Sequence, residues 1–155
     1  MARLNFLFRF TFLIIWVAIG FFALLLISPL RKSNIKKKVI NHWSKILLSL
    51  VRLRVICRGA KKELPAYPFI VVANHISWLD IFVLLSVLPV SFIAKIEIKK
   101  WFFLGNLVEM AGTIFIDRNR RKSLREVAKI ITQKSVGHEN AYAFFPEGKT
   151  SAGKT

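Results

Sequence analysis

Residues 69–80 read Phe-Ile-Val-Val-Ala-Asn-His-Ile-Ser-Trp-Leu-Asp, an apolar run followed at once by a polar cluster. The apolar run comes just after Pro65 and Pro68 and has the length and β-branched content of a buried strand. Open α/β sheets bind their ligands just beyond the carboxyl ends of their strands. The segment therefore predicts a strand over 69–73 whose carboxyl end carries a candidate functional site.

Strand patterns and helix patterns alternate along the rest of the chain. A capping box, Ser123-Leu-Arg-Glu126, opens the last of the helical patterns. The predicted elements are helices at 78–88, at 97–110 and from 123, and strands at 90–94, 113–117 and 141–145. This alternation predicts an α/β fold with a mainly parallel sheet and flanking helices.

His75 and Asp80 form the first candidate pair for chemistry. A histidine can take the proton from a hydroxyl that attacks a carbonyl, and a carboxylate can hold the imidazole in the required tautomer. Asp80 comes five residues after His75, across a turn and into the first helical turn, so a chain reversal can bring the two together. Ser77-Trp-Leu-Asp80 also fits a capping box, in which Asp80 serves only the helix start. Spacing alone leaves both interpretations open.

Polar residues also follow two later strands. Asp117-Arg118 follows the third, where the guanidinium fork would match phosphate oxygens, although Arg118 could equally belong to the solvated run 118–122. Pro146-Glu147-Gly148 follows the fourth, where Glu147 could hydrogen-bond a hydroxyl group of a ligand or form part of an ordinary turn.

The N-terminal segment predicts a membrane helix. Residues 10–30 contain no charged residue, and about 20 apolar residues in a helix cross a bilayer. Cations precede this segment and five more follow it by residue 38, so the positive-inside rule predicts that the rest of the chain is cytoplasmic. Residues 39–56 repeat apolar positions at helical spacing, as an interfacial helix or a core helix would.

These patterns predict three regions: a membrane-spanning or inserted helix over 1–30, a basic amphipathic interfacial segment over 31–60, and the N-terminal part of an α/β domain over 61–155. The whole chain has a formal net charge of +17 and is 54% hydrophobic. Anionic lipid and nucleic acid both fit this charge, but the long uncharged segment favours lipid and argues against nucleic acid. Cys57 is the single cysteine, so an internal disulfide is excluded.

Residues 148–155, Gly-Lys-Thr-Ser-Ala-Gly-Lys-Thr, match the phosphate-binding P-loop pattern after a strand. A P-loop requires a helix that starts at Lys154-Thr155, where the chain stops. Short stretches of Gly, Lys and Thr also match this pattern by chance. A nucleotide binder is therefore kept as a distant alternative.

Three blocks together resemble the lysophosphatidate acyltransferase family of glycerolipid acyltransferases. They are Asn74-His75-x-Ser77-x-x-Asp80, Gly112-Thr-Ile-Phe-Ile-Asp117-Arg118 and Phe145-Pro146-Glu147-Gly148, in the order and spacing of that family. The resemblance implies that the C-terminal part of the family domain is missing, so a catalytically silent membrane-binding fragment remains an alternative. Lys149 stands where the family usually has Thr, and this added cation could alter how the acceptor is bound.

The resemblance also implies roles for individual residues. His75 would be the general base, with Asp80 orienting it, and the acceptor would bind to residues of the three blocks: Asn74, Ser77, Arg118, Glu147 and Gly148. The acyl donor would be acyl-CoA or acyl carrier protein, and the acceptor a lysophospholipid such as lysophosphatidate, giving phosphatidate at the membrane. The resemblance implies no metal ion and no bound cofactor.

Overall fold

The structure, a computed structural model, describes residues 2–27, 33–59, 64–101, 104–117, 123–135 and 140–147. The elements in these ranges are α1 Ala2–Ile27, α2 Ser33–Leu50, β1 Phe69–Val72, α3 Leu79–Val87, β2 Val90–Lys95, a 3₁₀ helix Ile96–Lys100, α4 Leu104–Met110, β3 Ile114–Ile116, α5 Ser123–Ser135 and β4 Ala141–Phe144. They belong to two compact units: Met1–Cys57 with Leu79–Pro89, and Arg58–Trp78 with Val90–Thr155.

Helix α1 of the first unit is apolar along most of its length. Its segment Phe10–Ile27 has a mean hydropathy of 2.8, and only 11% of that segment is buried. The other described residues of the chain therefore cover little of this helix. By length and composition, α1 is able to cross a bilayer.

Helix α2 has one buried face and one exposed face. Ser44, Leu47 and Leu48 are buried, whereas Lys38 and Lys45 are exposed. The helix packs against α1 and against α3 within the first unit. The buried face of α2 is therefore part of the core of the first unit, and the basic residues lie outside it.

Two hydrogen bonds between tryptophans connect α1 to α2. The Trp16 indole N–H donates a hydrogen bond to the Trp43 carbonyl at 3.3 Å, and the Trp43 indole N–H donates to the Trp16 carbonyl at 3.0 Å. A side-chain N–H of Asn41 donates to the Leu85 carbonyl at 2.7 Å and so ties α2 to α3. Because an indole N–H shielded from water needs a partner, this reciprocal pair fixes how α1 and α2 meet.

Gly20 makes the close approach of these helices possible, and its replacement tests the packing. A Cβ at position 20 would overlap the indole ring of Trp43. We expect Gly20→Leu to lower the free energy of unfolding by about 1–3 kcal/mol, the usual cost of overpacking. Denaturant unfolding in detergent micelles, followed by tryptophan fluorescence, measures the loss. Ala18→Leu, at an exposed position of the same helix, is the control, and equal stability of the two variants would contradict the packing.

The second unit contains a four-stranded sheet in which every described pairing is parallel, in the order β1-β4-β2-β3. Strand β4 lies between β1 and β2, with Val72 opposite Phe144 on one side and Phe92 opposite Ala143 on the other. The predicted α/β fold with a mainly parallel sheet is confirmed. The predicted strands exist, and each observed one lies within two residues of its expected ends.

One face of the sheet packs against α5 and forms the core. Its buried members are Ile93, Ile114, Ile116, Val127, Ile131 and Tyr142, and Ile130 and Phe144 pack against them. Each such side chain contributes roughly 1.5–3 kcal/mol when it is removed from water. Helix α5 begins at Ser123, where the capping box predicted its start.

The segment predicted as one helix over 97–110 is two short helices in the structure, the 3₁₀ helix and α4. They meet closely at Gly105, where an added Cβ would lie 2.7 Å from the carbonyl carbon of Lys99. Only a residue without a side chain fits there. The helical pattern predicted the type of structure but not its division into two helices.

Candidate active site

The carboxyl ends of the four strands lie at one edge of the sheet because all the described pairings are parallel. The segments that follow these ends are residues 73–78 after β1, the 3₁₀ helix after β2, Asp117 after β3, and residues 145–147 after β4. This edge is where α/β sheets bind ligands. Parts of the three predicted polar clusters therefore share one edge, as expected.

His75 contacts the segment after β4. Its imidazole stacks on the ring of Phe145, with centroids 4.2 Å apart and planes inclined by 17°. The Ala73 N–H donates to the Phe144 carbonyl at 3.3 Å, which carries the β1–β4 pairing one residue beyond the strand. Two blocks separated by about 70 residues of sequence are thus brought together directly.

The other predicted site residues fall into three groups. In the same unit as His75, Ser77 is half-buried, and Asn74 and Glu147 are exposed. Asp80 is half-buried in the first turn of α3, which belongs to the other compact unit. The predictions for Arg118 and Gly148 lie outside the described residues, as does the P-loop match.

Sequence reasoning missed two features of this edge. The Phe145 ring is buried and also stacks on Phe92, with centroids 5.8 Å apart and planes inclined by 16°. The second feature is an ion pair. The Nζ atom of Lys95, the last residue of β2, lies 3.2 Å from Oε1 of Glu97. A hydrogen bond from the Glu97 backbone lowers the pKa of the Glu97 carboxyl, and the Lys95 ammonium lowers it further, so the carboxyl stays ionised at neutral pH. The sequence did carry a signal for Lys95, since it is a charged residue directly after the predicted strand 90–94.

The groups at this edge suit proton transfer and recognition of a polar ligand. The imidazole of His75 can accept a proton, and the exposed side chains of Asn74 and Glu147 can form hydrogen bonds to a ligand. Among the described residues, no three His, Cys, Asp or Glu side chains are grouped as a metal ion would require.

The profile of the acyltransferase family matches residues 54–155, which include the whole sheet. The 1-acyl-sn-glycerol-3-phosphate acyltransferase of Neisseria gonorrhoeae is 45% identical over 91 residues, which make up 57% of this chain and 35% of that protein. The lyso-ornithine lipid O-acyltransferase of Pseudomonas aeruginosa is 31% identical over 161 residues, covering 100% of this chain and 60% of that protein.

A solved structure resembles the fold as well. The crystal structure of the 1-acyl-sn-glycerophosphate acyltransferase of Thermotoga maritima matches with a TM-score of 0.70 and 25% identity, over 97% of this chain and 64% of that one. The present chain thus spans between 35% and 64% of the length of these relatives.

Proposed function

Because this chain belongs to the acyltransferase family, we propose that its protein transfers a fatty acyl group from a thioester to the free hydroxyl of a lysolipid. Lysophosphatidate is the first acceptor we propose, and phosphatidate the product. The observation that supports this most directly is the contact of His75 with Phe145, which joins two of the three blocks at the ligand-binding edge of a parallel sheet.

The reaction follows from the chemistry of an imidazole. His75 takes the proton of the acceptor hydroxyl as its oxygen attacks the thioester carbonyl. The tetrahedral intermediate then collapses, the carbon–sulfur bond breaks, and the proton passes to the departing thiolate. An ester and a free thiol result, and the imidazole returns to its neutral form. Asp80 would hold the imidazole tautomer in which the proton-accepting nitrogen faces the hydroxyl.

The remaining residues of the proposed site bind the acceptor. Arg118 would pair with its phosphate through the guanidinium fork, and Glu147, Gly148, Asn74 and Ser77 would hold its glycerol and headgroup. No metal ion or bound cofactor takes part in this scheme, because a thiolate leaves readily without one. The donor is acyl-CoA or an acyl carrier protein, and either one presents the same thioester.

The proposal also places the protein at a membrane. Helix α1 has the length and the exposed apolar surface for insertion. Exposed Lys38 and Lys45 on α2 would each gain about 1 kcal/mol near an anionic leaflet. The cations that follow α1 then orient the catalytic part towards the cytoplasm.

A lyso-ornithine lipid is the second candidate acceptor, favoured by the relative from Pseudomonas aeruginosa whose match spans the entire chain. In this lipid too the acyl group would be transferred to a free hydroxyl, so the reaction chemistry is unchanged. The difference lies in the headgroup, which is an amino acid in place of a phosphate.

Acceptor choice is tested by incubating membranes that carry this chain with labelled acyl-CoA and each acceptor in turn. We expect acyl transfer to lysophosphatidate to exceed transfer to lyso-ornithine lipid by at least about tenfold, since a phosphate-matched site loses about 1.4 kcal/mol or more when its charge partner is absent. A reversed preference would assign the second acceptor. Membrane binding without transfer to either acceptor would identify a silent membrane-binding fragment.

A further inference from the structure

Three flat rings form a row at the carboxyl edge of the sheet. The imidazole of His75 lies on the Phe145 ring at 4.2 Å, and the Phe145 ring lies on Phe92 at 5.8 Å. Both inclinations are below 20°, so Phe145 is nearly parallel to each of its two neighbours. Phe145 is only 8% exposed, so the middle ring of the row is held by its surroundings.

The register of the sheet produces this row. Phe92 in β2 lies opposite Ala143 in β4, and Phe145 comes two residues after Ala143, on the same face. The N–H of Ala73 bonds to the carbonyl of Phe144, so the chain leading to His75 still runs beside β4. Phe144 takes the opposite face and packs against the core formed with α5.

A stacked ring constrains the feature of an imidazole that matters for proton transfer. The lone pair and the N–H bond of the two ring nitrogens lie in the ring plane, so the plane sets the direction from which a proton is taken. The last torsion of a histidine side chain has broad, shallow minima and does not fix that plane by itself. A buried aromatic wall on one face removes most of this freedom before the substrate arrives.

We propose that Phe145 is a positioning residue for the general base, acting through its stack on His75 and supported by Phe92. This inference rests on the proposed function of His75, and it assigns to the first residue of the Phe-Pro-Glu-Gly block a task separate from acceptor binding. Phe145 orients the imidazole, and Glu147 and Gly148 belong to the acceptor site.

The kinetic test replaces Phe145 by Leu, which is apolar and similar in size but has no ring. We expect kcat to fall by about 10- to 100-fold with little change in the KM of either substrate, because misorientation of a reacting group acts on the chemical step. Phe145→Trp keeps an aromatic face and is expected to recover most of the lost rate. Phe144→Leu makes the same replacement one residue earlier, on the core face, and is expected to leave kcat per folded molecule unchanged.

A second measurement detects the stacking of His75 on Phe145 and does not require catalysis. A ring held face to face with a phenyl group experiences its ring current, which displaces the imidazole proton resonances upfield. In protein labelled at histidine and dissolved in micelles, the His75 signals are identified by their loss in His75→Gln. We expect them to be displaced upfield in the wild-type chain and in Phe144→Leu, and to return towards the free-histidine positions in Phe145→Leu.

These measurements test the role of Phe145 separately from the proposed acyl transfer. Displaced resonances together with a loss of kcat in Phe145→Leu support it. Wild-type kcat in Phe145→Leu, or undisplaced His75 resonances in the wild-type chain, would overturn it. If the wild-type chain transfers no acyl group, the proposed function fails for this chain, and the resonances alone then decide whether Phe145 fixes the imidazole.

Discussion

Replacement of His75 by alanine is expected to lower the rate of acyl transfer by about 10³-fold. An imidazole that removes the proton in the transition state contributes 10²–10⁴-fold to a rate, and the described part of this edge presents no second histidine for the task. The loss should appear in kcat at saturating acceptor, because alanine removes the base and leaves the acceptor-binding side chains in place. Product formation from labelled acyl-CoA and lysophosphatidate measures it.

Two further variants separate loss of the base from loss of packing. His75→Phe retains a flat ring against Phe145 but has no proton acceptor, so it should be as inactive as His75→Ala. His42→Ala removes an exposed histidine of α2 and should transfer at the wild-type rate. All three variants should still sediment with membranes. Transfer by His75→Phe near the wild-type rate would exclude the imidazole as the base.

The elements of the sheet were predictable because their signals are local. The apolar run at 69–73 and the run at 141–145 are short, rich in β-branched or aromatic residues and bounded by turn residues, which is typical of buried strands. The observed strands are each one residue shorter than predicted, because Ala73 and Phe145 already belong to the loops at the carboxyl edge.

The order of the strands could not be predicted from such patterns. Period-two patterning says which residues share a face but not which strand is the neighbour, and β4 is inserted between β1 and β2. The contact between His75 and Phe145 depends entirely on this insertion. Sequence reasoning could therefore name both blocks and the edge that they share, but not the ring stack that joins them.

The candidate site was predictable to different degrees for different residues. The placement of His75 and the Phe145–Glu147 segment at the same edge follows from the parallel strands, whereas their direct contact also requires that β4 lie beside β1. The roles of all the candidate residues, His75 among them, stay predictions, because spacing cannot separate a side chain that serves catalysis from one that serves a turn or a helix start. Mutation is the measurement that separates these roles.

Asp80→Asn is expected to reduce kcat by about 10²- to 10⁴-fold while the fold is retained. A carboxylate beside a histidine base holds one tautomer and stabilises the imidazolium, whereas an amide at the same place favours the wrong tautomer. Asparagine has nearly the same shape as aspartate and keeps a side-chain oxygen that can accept a hydrogen bond in the first turn of α3. The change therefore removes the charge with little effect on the first turn of α3.

The competing interpretation of Asp80 makes the opposite prediction for a matched variant. If Asp80 serves only the start of α3, Asp80→Ala should lower the free energy of unfolding by about 1 kcal/mol, and both variants should keep the wild-type kcat per folded molecule. Unfolding in denaturant and initial rates, measured on the same preparations, distinguish the two. Asparagine keeps a hydrogen-bond acceptor in the first turn, and alanine does not. A rate loss shared by both variants would therefore assign Asp80 to the reaction. Normal rates in both, with a larger loss of stability in Asp80→Ala than in Asp80→Asn, would assign it to the helix.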